Sequence, residues 1–208
     1  MKSMLNIAGA ALLCMAAILS LCNFAQIYGT GRETNRVCAE LSARINDAVT
    51  MTEDYQEEII PDYVLNPEME MPTKEIDGHS YIGKVAFQDP EKDFPVISEW
   101  SYPNLDVAPC RYSGSAYKNN MILFAHNYPG QFDFVKDMAI GDTVSFTDVD
   151  GNEFHYKVVD IETLKPNQTE KLESGDWDLR LFTCTSTGSA RIVLSCDLID
   201  EEAWCKCV

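Results

Sequence analysis

The stretch "LRLFTCTSTGSARIVLSCD", Leu179 to Asp197, holds two apolar runs around a small polar loop. The first run ends on Cys184, and the second begins at Arg191. Runs of this kind bounded by Ser, Thr and Gly predict a β-hairpin. Its register decides what the two flanking residues can do. Paired directly, or displaced by two residues, Cys184 and Arg191 share a face; a slip of one separates them. On a shared face the guanidinium favours a thiolate or a developing oxyanion. The plain alternative is a cysteine acting as a small buried hydrophobe and an arginine capping a sheet rim. Cys196, within "IVLSCD", fits the buried description. Cys184 differs from it because it terminates its strand and precedes small residues that leave room for a substrate.

Beyond the hairpin the chain is β in texture from Ser80 onward. "YIGKVAF", "FPVIS" and "MILFAHN" are short strand candidates, and "DTVSFTDVDGNEFHYKVVDIETL" predicts a hairpin turning near Asp150-Gly151. A short helix is expected over 167–172, after Pro166. Many short strands with little helix predict a closed barrel or a sandwich of about 125 residues.

The segment before Ser80 differs. Met4 to Tyr28 is predominantly apolar, about the length a bilayer helix needs. Lys2 and the terminal amine precede it, which puts the N-terminus inside and the remainder outside. A cleaved signal peptide is the competing reading, but the apolar run is too long and lacks a small-x-small cleavage site. An uncleaved anchor over 1–30 is therefore expected. Val37, Leu41, Ile45 and Val49 then mark one face of a helix, either a stalk or a helix packed on the domain. From Glu53 to Asp77 nine carboxylates face only Lys74, which predicts a solvated spacer without a chemical role. The expected organisation is anchor 1–30, helical and acidic linker 31–79, β domain 80–200 and a loose tail 201–208.

The whole-chain numbers narrow the function classes. A length of 208 residues with 46% hydrophobic composition leaves ample material for a core. A formal charge of −17 argues against nucleic acid, whose phosphates need a basic surface. Of eight cysteines, Cys14 and Cys22 fall in the anchor. Cys38, Cys110, Cys184, Cys196, Cys205 and Cys207 have no framework-like spacing, and Cys205-x-Cys207 lacks a second pair for a metal.

Three histidines could serve a reactive thiol. His79 closes the acidic linker. His155 alternates with Phe154 and Tyr156 on a hairpin strand, facing solvent or a small cluster. His126 follows the strand "MILFA" and opens the turn "NYPG", where a strand gives way to a loop; it is the best placed of the three.

Taken together, these residues resemble the sortases, membrane-anchored cysteine transpeptidases of mostly Gram-positive bacteria. Their signature is a T-L-x-T-C strand end, a later arginine and an upstream histidine opening a loop. Leu181-Phe182-Thr183-Cys184 matches L-x-T-C, Arg191 the arginine and His126 in "FAHNY" the histidine. The stretch from Phe94 to Ala116 also looks like the region before that histidine in some sortases. The likeness runs from about Ser80 to Leu198. Arg180 stands where the signature has its first threonine, and the Cys184–Arg191 loop is short for the family. Both departures bear on subclass and sorting-signal preference.

The resemblance implies a mainly β fold, a closed eight-stranded barrel with short helices. Its groove would bind a C-terminal sorting signal of the L-P-x-T-G type on an exported protein. Cys184 would form a thioacyl enzyme, and His126 would protonate the leaving amine and deprotonate the incoming one. Arg191 would hold substrate backbone and the oxyanion; Thr183 would either shape the groove as a substrate contact or pack inward, the two readings standing equal. The acceptor would be an amine of a peptidoglycan precursor or a pilin. No cofactor is implied, and no calcium-ligand pattern can be assigned. The protein would be single-pass in the cell membrane, its catalytic domain extracellular. A thiol peptidase releasing its product to water, and a non-catalytic surface adhesin, remain open alternatives.

Overall fold

A computed structural model describes residues 2–53, 60–88 and 92–200, with the side chains of all these except 2–11, 23–31, 48 and 51–53. The elements are α1 (Lys2–Glu53), α2 (Asp62–Leu65), β1 (Lys74–Ile76), β2 (His79–Phe87), β3 (Asp93–Ile97), α3 (Tyr102–Leu105) and β4 (Cys110–Ser113). There follow β5 (Met121–Phe124), β6 (Thr143–Asp148), β7 (Glu153–Leu164), α4 (Thr169–Glu173), β8 (Leu179–Cys184) and β9 (Arg191–Ile199). Hydrogen bonding runs β1-β2-β3-β4-β5-β8-β9-β7-β6, and β6 pairs back onto β2. Strands β2 to β9 thus close an eight-stranded barrel, and β1 is an extra strand on β2.

Closure needs a tight approach at Gly83, where β2 lies between β3 and β6. A Cβ there would stand 2.1 Å from the Thr147 carbonyl oxygen, so only glycine fits. The expected β6–β7 hairpin turns at Asp150-Gly151, with Gly151 at φ +93°. The Asp148 carboxylate organises that turn, accepting bonds from the backbone N–H groups of Asp150 and Asn152, each 2.9 Å long. Inside the barrel, Val85, Leu123, Phe146, Tyr156, Leu181 and Leu194 are fully buried in one cluster.

The N-terminal segment departs from expectation. Instead of an anchor followed by a separate helix, α1 runs unbroken from Lys2 to Glu53. Among the described residues no helix is long and apolar enough to cross a membrane. The transmembrane helix expected over 1–30 is therefore not found among them, and most of its side chains lie outside the described residues. The later half of α1 is packed on the barrel. Val37, Leu41 and Ile45 are buried against Ile76, Tyr81, Ile97 and Val149, because the four-residue step gathers them on one face.

The acidic tract also does more than space. Residues 54–59 lie outside the described residues, but beyond them Tyr63 stacks on Tyr117 at 4.6 Å. Met71 and Ile76 are buried, and β1 pairs with β2. The apolar residues interleaved with the carboxylates supply the contact area that a count of charges hides. The Cys205-x-Cys207 tail lies outside the described residues.

Candidate active site

The β8–β9 hairpin adopts the direct register, with Cys184 paired to Arg191, Phe182 to Val193 and Arg180 to Ser195. Alternation therefore puts Arg180, Phe182 and Cys184 on the outer face of β8. Leu179 and Leu181 point into the barrel core. Neighbouring β5 runs parallel, with Phe124 beside Phe182. Those two rings stack at 4.3 Å. Tyr112 meets Phe182 edge-on at 5.4 Å, and Trp100 stacks on Tyr112 at 5.7 Å, distances typical of favourable ring pairs.

These rings form one side of a cavity of about 230 Å³. Leu164, Pro166, Thr169 and Leu172 from β7 and the α4 segment form the other. Cys184, His126 and Arg191 all line it, half-buried. The three residues picked out by sequence thus meet in one apolar groove. His79 and His155 do not line it. His155 is a buried residue of β7, 8% exposed, its Nε2 3.9 Å from Glu153, which removes the solvent-facing alternative.

His126 is held by residues that sequence reading missed. Its backbone N–H donates to Gln131 Oε1 at 2.7 Å, and its carbonyl accepts from Phe132 at 3.0 Å. Gln131 is fully buried, and its Nε2 donates to the Leu105 carbonyl at 2.7 Å. That bond joins the loop after β5 to the end of α3. The next residue, Asp106, brings Oδ1 within 3.4 Å of His126 Nε2. Tyr128 stacks on the imidazole at 4.7 Å. Burial, and then the Asp106 charge, push the Tyr128 hydroxyl up to about 12, so the ring stays neutral at physiological pH. No local sequence signal marks Gln131 or Asp106: Gln131 anchors its loop to Leu105 and Asp106 reaches His126, both far along the chain.

Of the two readings of Thr183, the structure takes the inward-packed one. It is 1% exposed and its hydroxyl donates to the Ala125 carbonyl at 2.9 Å. It does not line the cavity. Alternation turns it inward, where it ties β8 to the residue before His126. Among the described residues no group of three or more His, Cys, Asp or Glu could hold a metal ion.

A closed barrel with a cysteine, histidine and arginine in one groove defines a cysteine acyl-transfer scaffold. The Sortase domain model matches residues 86–199. The chain belongs to the sortase family, whose members are cysteine transpeptidases. Sortase C1 from Streptococcus suis is 25% identical over 59% of this chain and 74% of its own, with a TM-score of 0.51. The Clostridium perfringens sortase D5 transpeptidase is 18% identical over 81% and 99%, with a TM-score of 0.58. Sortase A from Corynebacterium diphtheriae is 17% identical over 88% and 95%, with a TM-score of 0.53. A comparison with curated proteins finds no match.

Proposed function

We propose that this chain cleaves an L-P-x-T-G-like C-terminal sorting signal and transfers the exported protein to an amine of the cell wall or a pilin. The Cys184 thiolate attacks the Thr–Gly carbonyl. The C–S bond forms, the C–N bond breaks, and the departing glycine amine takes a proton from His126. An acceptor amine then attacks the thioester, gives its proton to His126 and releases the Cys184 thiolate. Splitting one amide exchange into two acyl transfers lowers each barrier. Arg191 holds the carbonyl oxygen as charge develops on it. Its fork of donors suits backbone carbonyls and an oxyanion better than a point charge does.

The observation that carries this reading is the direct Cys184–Arg191 pairing on the wall of the cavity that also receives His126. The apolar walls favour the reading too, since they exclude water from an acyl enzyme and strengthen electrostatic contacts within. The apolar run Met4 to Tyr28 supports a membrane location, with the N-terminus inside and the barrel outside. The same run marks an anchor over 1–30; the proposed linker 31–79 and catalytic domain 80–200 then share one packed unit, since β1 pairs with β2. Membrane fractionation and protease accessibility in intact cells test that arrangement.

The test of the reaction is incubation of a labelled L-P-x-T-G peptide with and without an added amine. A product carrying the amine is expected, together with a trapped adduct on Cys184 by mass. A product ending only in a free carboxylate removes transfer and leaves a thiol peptidase. An unmodified peptide and an unlabelled Cys184 leave a non-catalytic barrel.

A further inference from the structure

Arg180 is a buried cation outside the reaction described above. It is 6% exposed and shares the outer face of β8 with Cys184. Four residues of strand put it about 13 Å away, too far to touch reacting atoms. A buried guanidinium is costly unless its donors are met, and here they are met in a particular direction. Nη1 donates to the carbonyls of Lys171 at 2.6 Å, Leu172 at 2.7 Å and Ser174 at 3.1 Å. Nε donates to Ser195 Oγ at 3.0 Å, and Nη2 lies 3.7 Å from Glu162 Oε1. The guanidinium also covers the Trp177 ring at 4.8 Å, a favourable cation–π position.

The three carbonyls belong to the end of α4. A helix terminus leaves such carbonyls without partners and carries partial negative charge. At five residues, α4 is too short to be stable by its own hydrogen bonds. Arg180 therefore caps it from the neighbouring strand, while the Lys171–Glu162 ion pair ties the same segment to β7. The segment so held carries Lys165, Pro166, Gln168, Thr169 and Leu172, one wall of the cavity. The threonine that the sortase signature has at this position offers a single donor on a short side chain and cannot meet three carbonyls.

We propose that Arg180 is a positioning residue that holds the 165–177 segment as a preformed cavity wall and so sets peptide affinity, not thiol reactivity. This rests on the peptide-transfer reading above. A preformed wall spares the peptide the entropic cost of ordering it. Loss of the clamp thus appears in binding and leaves the chemical step almost untouched.

The experiment compares the full chain with Arg180→Thr and Arg180→Lys. Three quantities are measured: KM and kcat for a sorting peptide, the rate at which a small methanethiosulfonate modifies Cys184, and trypsin cleavage after Lys171. For Arg180→Thr the expected result is a KM about tenfold higher, with kcat within about threefold and the modification rate unchanged. Faster nicking after Lys171 is also expected. Arg180→Lys, which keeps the charge but loses the fork, should fall between, and it carries the test if the threonine variant does not fold. An unchanged KM with unchanged nicking overturns the proposal. So does a parallel loss of KM, kcat, thiol modification and melting temperature, which marks general destabilisation. If the wild-type chain processes no sorting peptide, the earlier reading fails on its own, and the nicking rates still decide whether Arg180 holds the segment.

Discussion

The β8–β9 hairpin carries a cysteine at each end, and the two ends behave as different materials. Cys184 closes β8 on the outer face, half-buried, opposite Arg191 and beside a cavity. Cys196 lies on β9 opposite Leu179, fully buried in the barrel core. Burial and the nearby Asp197 charge push the Cys196 thiol well above its ordinary range, so it stays neutral and unreactive. The same side chain is thus a packing atom at one end and a candidate nucleophile at the other. Strand parity and distance from the rim make the difference.

The largest expected effect separates the two cysteines directly. Cys184→Ala should abolish acyl transfer, and His126→Ala should reduce it about 10²–10⁴-fold. Cys196→Ala should keep turnover and cost about 1 kcal/mol of stability. Peptide-transfer rates and thermal melts read both. Thiol labelling gives a second measure in a full-length chain with Cys14, Cys22, Cys205 and Cys207 replaced by serine. Burial raises Cys38 to about 11 and Cys110 to about 12, so at pH 8 a reagent should modify Cys184 and leave the other three. Equal labelling of Cys184 and Cys196 would erase the distinction between the two ends.

Next in size is the rim partner. Arg191→Lys keeps the charge opposite Cys184 but removes the planar pair of donors. Loss of an oxyanion donor of this kind costs about 10²-fold in kcat, and a similar fall is expected here. Near-normal turnover would show that charge alone suffices and that the forked contact is not used.

The hairpin end at Cys184 was legible in sequence because its signals are local. An apolar run, a small polar loop and a charged restart specify two strands; the register stayed open in sequence, and the structure supplies the direct pairing. The eight-stranded closure came from the family likeness, whereas the strand count by pattern alone missed β1 and β4. Lys74-Glu75-Ile76 hides in an acidic tract, and β4 carries mixed residues over only four positions. For Thr183 the sequence left two readings, and strand alternation selects the inward one, because adjacency to Cys184 along the chain means opposite faces in a strand. Asp106 and Gln131 could not be read at all, since Asp106 meets His126 across the fold and the second bond of Gln131 runs to Leu105, far along the chain. The unbroken α1 was hidden by Gly29 and Gly31, which disfavour a helix by roughly 1 kcal/mol each without forbidding it.

Thr183 offers a smaller test, on the inner face of the same strand. Thr183→Val keeps the shape but leaves the Ala125 carbonyl without its buried donor. The expected cost is about 1–3 kcal/mol in stability, and Thr183→Ser should recover most of it. Because Ala125 precedes His126, the valine variant should also turn over more slowly. A valine variant with lower affinity for peptide but wild-type stability would restore Thr183 as a substrate contact.

The smallest effect belongs to Asp106, whose side chain is 75% exposed and 3.4 Å from His126. An exposed ion pair contributes about 0.2–1 kcal/mol, because water competes for both charges. Asp106→Asn should therefore slow turnover by no more than about fivefold, a fraction of the loss on removing His126 itself. The sign follows from the proposed chemistry: His126 hands a proton to the leaving amine, and the carboxylate 3.4 Å away attracts the charge that the imidazole carries at that step. Salt gives the discriminating measurement. Exposed charges are screened over about 10 Å at 0.1 M ionic strength, so the gap between wild type and Asp106→Asn should close as salt is raised. A gap that persists at 1 M would mean that Asp106 acts by fixing the geometry of the loop and not through its charge. The loop bond from Gln131 to Leu105 would then be the element to vary.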